Sequence, residues 1–333
     1  MKAIVYRDYG SADVLRCEEI EKPVPGVDEV LIRVRAASVN PLDWKVMSGG
    51  PFIVRMLLGL GKPKIKRPGV DVAGTIEVTG KNVTQFKQGD EVFGTCRGAF
   101  AEYGTSKSGT GVKSALVKKP DNVTFEQAAS IPVAGLTALQ GLRDHGRIQT
   151  GQSVLINGAA GGVGTFAVQI AKAFGAKVTG VCSTRNVDMV RSIGADRVID
   201  YTQEDFTTRS EPYDLLLDCI GNRSLSACRR ILNPTGRLVL VGAPKDISIA
   251  ALVASLTAVL VLSPFLRKKM TFFIAKGKPE DLTILGELMT SGKIKAVIDR
   301  RYRLSEAAEA FRYLEEGHAR GKVIITCEDG GEL

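Results

Sequence analysis

The chain has 333 residues and a formal net charge of +9; 44% of its residues are hydrophobic and 24% are charged. This composition is that of a globular protein and excludes a disordered, collagen-like or disulfide-framework chain, while the length predicts two domains. The positive charge would suit an acidic partner, but no run of five basic residues occurs, so nucleic-acid binding is a minor alternative. Six scattered cysteines without a CxxC pair indicate reduced thiols and a cytoplasmic compartment.

The first part of the chain shows short β segments bounded by turn residues. Residues 29–36 alternate polar and apolar side chains, as a half-buried strand does, and similar segments cover 69–78 and 89–94. The pattern predicts an antiparallel, barrel-like β domain over residues 1–125.

Beyond residue 125, strands and helices alternate. Strands are predicted at 153–156, 177–182, 197–200, 214–218, 237–241 and 270–275, and helices at 125–142 (broken by Pro132), 164–174, 186–193 and 223–232. Repeated βα units with continuously apolar strands indicate a doubly wound parallel sheet, here over residues 126–277. The tail, residues 278–333, is predicted to return to the β domain.

An almost wholly apolar segment, residues 247–262, needs a separate explanation. It is shorter than the ~20 residues of a membrane-spanning helix, so we predict a buried helix or one at a homodimer interface. Peripheral membrane attachment through residues 250–266 and the basic residues 267–269 is the alternative. The start of the chain predicts a first strand rather than a signal peptide, because it lacks a long apolar stretch.

A glycine-rich turn, residues 158–164, follows a predicted strand and opens a predicted helix. Glycines let backbone amides approach a pyrophosphate, and the start of a helix adds partial positive charge. The turn therefore predicts a dinucleotide site at Gly161, Gly162, Val163 and Gly164. The alternative is a tight turn that only packs a helix against a sheet, since the GxxGxxG spacing is moderately specific.

The residues after the second strand of this unit favour NADPH over NADH. Sites specific for NAD place an acid there to bind the ribose 2′-hydroxyl. Here the strand is followed by Ser183, Thr184 and Arg185, with no acid until Asp188. Hydroxyls and a guanidinium suit a 2′-phosphate, which an acid would repel. The alternative for Arg185 is a solvated residue at the start of a helix.

Residues 151–172, with Gln169 and Lys172 beside the glycines, resemble the signature of the quinone oxidoreductase (ζ-crystallin) family of zinc-free medium-chain dehydrogenases/reductases. Residues 36–45, 69–74, 98–103, 134–138 and 321–324 are also similar to that family, so the resemblance covers nearly the whole chain. Residues 44–45 and 317–322 most resemble the subgroup that contains the chloroplast envelope quinone oxidoreductase homologue and the reticulon-interacting protein. The resemblance implies a Rossmann sheet plus a GroES-like, mostly antiparallel β-barrel catalytic domain.

The resemblance also implies contacts with the cofactor. Lys45 and Thr137 would lie near the nicotinamide and ribose, and Ser183, Arg185 and Tyr201 around the 2′-phosphate. Gly221 and Gly242 would lie at the carboxyl ends of strands, where the cofactor crosses the sheet. Each residue has a simpler alternative: a surface lysine for Lys45, a helix-start cap for Thr137 and a loop aromatic for Tyr201.

Zinc members of the superfamily carry a cysteine ligand where this chain has Asn40, and Gly-His-Glu where it has residues 69–71. With His145 and His318 as the only histidines, a tetrahedral zinc set is not expected, and we predict no metal. Asn40 and Lys45 are the candidates for orienting a substrate carbonyl or the nicotinamide. Asn40 and Asp43 could also shape the substrate pocket, and a turn formed with Pro41 is an equal alternative for these two residues.

The sequence and the resemblance together predict an NADPH-dependent, zinc-independent oxidoreductase. It would reduce quinones or the C=C bond of α,β-unsaturated carbonyls by hydride transfer, because the cofactor carries the chemistry and the protein aligns it. The alternative is an NADPH-binding structural, RNA-binding or peripheral membrane protein with little turnover.

Overall fold

The computed structural model describes residues 1–50, 62–64, 66–107, 115–208, 211–242, 257 and 268–327. The chain divides into two compact units. The β unit comprises Met1–Leu136, Lys276–Ser291 and Ala296–Leu333, and the αβ unit comprises Thr137–Ala275 and Gly292–Lys295. The first boundary falls about one helix later than the 125/126 boundary expected from the sequence, because the helix at 125–129 packs on strands of the β unit.

The described strands are, in chain order, β1 Lys2–Val5, β2 Arg16–Glu19, β3 Glu29–Val39, β4 Asp71–Thr79, β5 Glu91–Thr95, β6 Tyr103–Lys107, β7 Leu116–Lys118, β8 Ser153–Asn157, β9 Lys177–Cys182, β10 Arg197–Asp200, β11 Tyr213–Asp218, β12 Leu232–Leu240, β13 Lys269–Phe272, β14 Ile298–Arg303 and β15 Lys322–Thr326. The described α-helices are α1 Pro41–Met47, α2 Phe125–Ala129, α3 Pro132–Gln140, α4 Gly162–Ala173, α5 Val187–Ser192, α6 Leu225–Arg230, α7 Pro279–Thr290 and α8 Ala307–Glu315.

The β unit is built on a seven-stranded sheet of order β14-β15-β3-β4-β5-β7, with β6 also paired to β3. All of its pairings are antiparallel except β14 with β15. The last strand, β15, pairs with β3, so residues from the end of the chain complete the domain that the first residues begin. Its core includes Phe100 and Phe311, whose rings meet edge to face at 5.7 Å. β14 and β15 of the tail therefore belong to the same sheet as β3.

The αβ unit contains a six-stranded parallel sheet of order β10-β9-β8-β11-β12-β13. In this order the chain runs outward in one direction from β8 and then in the other from β11. Ligands of such sheets bind beyond the carboxyl ends of the two strands where the direction changes. The predicted Rossmann plus GroES-like fold is confirmed.

The helical segment predicted at 125–142 is broken at Pro132, as expected, into α2 and α3. It differs from the prediction at its end, where a π-helical turn, Gly141–His145, follows α3. Nearly all of the apolar segment 247–262 lies outside the described residues. In the described part of the chain, none of the helices has the length and apolar character needed to span a bilayer.

Candidate cofactor and substrate site

The glycine-rich turn begins where β8 ends. Gly158 has φ +84°, a left-handed conformation that favours glycine, and a Cβ there would lie 2.8 Å from the Ile220 side chain. The amides of Gly158 and Ala159 donate to the carbonyl of Val181 at 3.2 and 3.0 Å. The turn is therefore anchored to the neighbouring strand β9.

The other two glycines of the motif have different tasks. A Cβ on Gly164 would lie 2.1 Å from the carbonyl oxygen of Gly158, so Gly164 lets α4 pack against the turn. Among the described residues, a Cβ on Gly161 would meet only that same oxygen, at 3.5 Å, so these residues leave the space in front of Gly161 open. Because α4 starts at Gly162, the first amides of a twelve-residue helix follow this opening. The geometry fits a pyrophosphate.

A buried carboxylate, Asp218, organises the carboxyl end of the sheet. Its Oδ1 accepts from Asn157 Nδ2 at 2.8 Å and from the amides of Ile220 and Gly221 at 3.0 and 2.8 Å. Its carbonyl accepts from the amide of Gly242 at 3.2 Å. Asp218 was not among the residues predicted from the sequence. It could have been recognised as an acidic residue directly after the three apolar residues 215–217 of a predicted buried strand.

Gly221 and Gly242 follow the carboxyl ends of β11 and β12, which are Asp218 and Leu240. Gly221 has φ +74°, and a Cβ on Gly242 would lie 2.0 Å from the carbonyl of Cys219. Both positions accept glycine alone for reasons of backbone geometry, before any ligand is considered.

The predicted 2′-phosphate residues follow β9. Arg185 and Thr184 are exposed, and Ser183 is half-buried. Ser183 Oγ accepts from Asn186 Nδ2 at 3.1 Å, which leaves the hydroxyl hydrogen available to a phosphate. Tyr201 follows β10 directly and is exposed, and its amide donates to the carbonyl of Cys182.

An acid that sequence spacing did not reveal lies beside these residues. Asp200 ends β10, the neighbour of β9, and its Oδ2 accepts from Thr184 Oγ1 at 2.6 Å. The hydrogen bonds from Thr184 and Thr202 lower the pKa of Asp200. A phosphate can only accept hydrogen bonds. While the Thr184 hydroxyl donates to Asp200, it therefore cannot donate to a phosphate.

In the β unit, five buried polar side chains form one cluster: Ser38, Asn40, Asp43, Asp71 and Lys322. We call it the buried charge cluster. Asp71 Oδ2 accepts from Ser38 Oγ at 2.7 Å and Asn40 Nδ2 at 2.9 Å, and Lys322 Nζ lies 3.5 Å away. Asp71 Oδ1 accepts from the amide of Val133 at the start of α3.

Asn40 has its side-chain groups engaged inside this cluster. Its Nδ2 also donates to the carbonyl of Ser38 at 3.3 Å, and its Oδ1 accepts from Lys322 Nζ at 2.7 Å. Its backbone amide donates to Asp43 Oδ2, and Pro41 begins α1. This geometry favours the turn alternative, in which Asn40 starts a helix, over a direct substrate contact.

Lys45 and Thr137, the two residues expected near the nicotinamide, belong to different units. Lys45 is an exposed residue in the last turn of α1. Thr137 is half-buried within α3, five residues after its start, so it is not the helix-start cap that the simpler alternative required.

Burial sets the ionisation of the cluster. Burial raises the pKa of Asp43 to about 7, although the hydrogen bond from the Asn40 amide and the charge of Lys322 oppose the shift. Burial also lowers the pKa of the Lys322 ammonium, and the carboxylates of Asp71 and Asp43 oppose that change. The cluster therefore holds an ion pair beside a carboxyl group that titrates near neutrality.

A zinc ion does not fit these residues. The cluster offers carboxylate, amide and hydroxyl oxygens, whereas zinc prefers thiolate and imidazole in a tetrahedral set. The Lys322 ammonium lies among the oxygens a cation would need. Across the described residues, no group of three histidines, cysteines or acids is arranged to hold a metal.

A Rossmann domain inserted in the sequence between two segments of a GroES-like domain defines the class of medium-chain dehydrogenases/reductases. Two family models match, "Alcohol dehydrogenase GroES-like domain" at residues 26–136 and "Zinc-binding dehydrogenase" at residues 193–325. The chain is 35% identical to the chloroplastic quinone-oxidoreductase QR1 of Triphysaria versicolor over 98% of both chains. It is 36% identical to the chloroplastic NADPH-dependent alkenal/one oxidoreductase of Arabidopsis thaliana, over 98% of this chain and 79% of that one.

Among solved structures, the quinone oxidoreductase of Coxiella burnetii superposes with a TM-score of 0.85 at 31% identity, covering 98% of this chain and 99% of that chain. The chain therefore belongs to the quinone oxidoreductase family of medium-chain dehydrogenases/reductases, as the resemblance predicted. The prediction of an NADP(H)-dependent oxidoreductase is confirmed at the level of that family.

Proposed function

We propose that this chain uses NADPH to reduce quinones or the C=C bond of α,β-unsaturated carbonyls. The observation that carries the proposal is the turn at residues 158–164, where the described residues leave an open approach at Gly161 to the start of α4. The named activities of the relatives, quinone and alkenal/one oxidoreduction, supply the substrate class.

The proposed cofactor contacts are the residues expected from the sequence, but Gly164 and Thr184 now have supporting roles. Gly161, Gly162, Val163 and Gly164 form the pyrophosphate site, in which Gly161 faces the ligand and Gly164 packs the helix. Ser183, Arg185 and Tyr201 bind the 2′-phosphate, and Thr184 supports the loop through Asp200. Thr137 and Lys45 lie near the nicotinamide, and Gly221 and Gly242 shape the end of the sheet.

When bound, NADPH supplies the hydride for the electron-poor carbon of the substrate. The residues of the chain then have three tasks: to align the substrate, to exclude water and to donate a hydrogen bond to the carbonyl as negative charge develops on its oxygen. Of the two candidate catalytic residues, the exposed Lys45 suits a donor to substrate or nicotinamide. Asn40 is better suited to hold the start of α1 in place, because its backbone amide donates to Asp43.

Four further properties belong to the same proposal. The reaction proceeds without zinc, because the donors at Asn40 and Asp71 are unsuited to that ion. The chain forms a homodimer and does not bind nucleic acid. We retain the cytoplasmic compartment suggested by the reduced thiols, although the matched plant relatives are named chloroplastic.

The test is oxidation of NADPH, and of NADH in parallel, with a panel of enones and quinones. We expect turnover with members of the panel and a higher kcat/KM with NADPH than with NADH. Absence of turnover with every substrate, despite tight NADPH binding measured by calorimetry, would exclude the enzyme and leave a binding protein.

A further inference from the structure

Lys322 is a buried lysine that the proposed reaction does not use. It is the first residue of β15 and only 3% exposed. Gly321 before it has φ +79°, and a Cβ there would lie 2.2 Å from the carbonyl of Val297. The amide of Lys322 donates to that same carbonyl at 2.8 Å. The backbone thus fixes where the lysine enters the β unit.

The ammonium of Lys322 ends among oxygens that come from distant parts of the chain. It donates to Asn40 Oδ1 at 2.7 Å and lies 3.5 Å from Asp71 Oδ2. The side chain of Asp71 is completely buried. A buried charge is tolerated only when it is paired and hydrogen-bonded, so Asp71 and Lys322 depend on each other.

One of the two matching family models is described as a zinc-binding dehydrogenase, yet the cluster in this chain already contains a positive charge. A metal ion at this position would need Asn40 Oδ1 and Asp71 Oδ2 as ligands, and both are bonded to or paired with Nζ. A metal ion bound to these oxygens would lie within a few ångströms of Nζ, and two positive charges that close inside a protein repel each other strongly. The lysine and a metal therefore exclude each other.

We propose that Lys322 is a built-in cation that replaces a metal ion in the β unit, neutralising Asp71 and fixing the Asn40 carboxamide at the start of α1. The β unit then needs no metal to fold, and α1, which carries Lys45, keeps its position through a covalently attached charge. The proposal holds whatever the substrate is.

The first test uses the wild-type full chain. Its metal content is measured by mass spectrometry after expression in zinc-supplemented medium, and its melting temperature with and without EDTA. We expect less than a tenth of an equivalent of any transition metal and no shift with EDTA. About one bound equivalent, together with a lower melting temperature in EDTA, would overturn the proposal.

The second test removes the charge. K322M keeps the length of the side chain and leaves Asp71 buried without a cation, so we expect its melting temperature to fall by roughly 10 °C at pH 8. Lowering the pH protonates the carboxylates and should shrink that deficit. K322R, which retains the charge, should lose less and remain metal-free.

K119M is the matched control. Lys119 is also buried in the β unit and pairs with Glu91 at 2.9 Å, but the Glu91 side chain is 48% exposed and stays solvated when its partner is removed. We expect K119M to show a deficit that does not change with pH.

The double variant D71N/K322M tests whether Asp71 and Lys322 stabilise each other. If the pair is a charge pair, the double variant is more stable than the sum of the two single losses predicts. Additive losses, or a pH-independent loss in K322M like that of K119M, would make Lys322 an ordinary packing residue. If K322M does not fold, the wild-type metal content and the behaviour of K322R still decide between the two cases.

Discussion

Two buried aspartates, one in each unit, are stabilised in different ways. Asp71 in the β unit accepts from Ser38, Asn40 and the Val133 amide, and it pairs with the ammonium of Lys322. Asp218 in the αβ unit is held by amide donors, all of them on Oδ1, while its Oδ2 is buried with no hydrogen-bond partner among the described residues. Asp71 depends on one distant charge, whereas Asp218 depends on two local backbone amides and the Asn157 carboxamide.

The largest expected difference between the two centres comes from the same substitution at each. D71N places an amide group among donors and leaves Lys322 as a buried, unpaired cation, so we expect a loss of roughly 3–5 kcal/mol in the free energy of unfolding. D218N can keep Oδ1 as the acceptor of all three bonds, so we expect a change within about 1 kcal/mol. Urea unfolding of both variants measures this; equal losses would remove the distinction.

Gly161 and Gly164 of the turn extend the comparison to positions without a side chain. Alanine normally favours a helix over glycine, but a Cβ on Gly164 would strike the carbonyl of Gly158, so G164A should cost about 3 kcal/mol. Among the described residues, the methyl group of G161A makes no close contact, so this variant should unfold like the wild type. Its KM for NADPH should rise, because the methyl group occupies the approach of the pyrophosphate. An unchanged KM in G161A would place the cofactor elsewhere.

The sequence predicted the αβ unit well because its signals are local. The end of β8, the turn and α4 are contiguous, and the predicted strand 197–200 coincides with β10. The buried charge cluster was not predictable in the same way. Lys322 and Asp71 are 251 residues apart, and an isolated lysine in a strand pattern carries no sign of its partner. Asp200 was missed for the same reason. It lies at the end of β10 and contacts Thr184 after the neighbouring strand β9, and the spacing of the two residues along the chain does not reveal that contact.

Asp43 gives the buried charge cluster a pH dependence. Its pKa is about 7 in the folded chain and about 3.9 when unfolded, so between those values the folded state binds the extra proton. The contribution of Asp43 to the free energy of unfolding therefore falls as pH rises through this window, by at most about 1.4 kcal/mol per pH unit. Asp71 and Lys322 face the same carboxyl group, and Tyr6 senses its charge.

D43N isolates that contribution, because its other carboxyl groups titrate as in the wild type. The asparagine oxygen can still accept from the amide of Asn40, so the start of α1 is retained. We expect the difference in unfolding free energy to move in favour of D43N as the pH is raised from 4 to 7. Parallel curves for the two proteins would show that Asp43 is ionised throughout.

The smallest expected effect separates two adjacent residues of the proposed 2′-phosphate site. R185A removes a cation and should lower kcat/KM for NADPH about tenfold while leaving NADH almost unchanged, since a hydrogen bond to a charged group contributes about 1.5–3 kcal/mol. T184A removes a hydroxyl that already donates to Asp200 at 2.6 Å, on an exposed loop. We therefore expect T184A to change kcat/KM for NADPH less than about twofold, because the lost bond is a solvent-exposed one. The measurement is the ratio of kcat/KM with NADPH to kcat/KM with NADH, for R185A and for T184A. An equally large drop of this ratio in the two variants would mean that the Thr184 hydroxyl leaves Asp200 and contacts the 2′-phosphate itself.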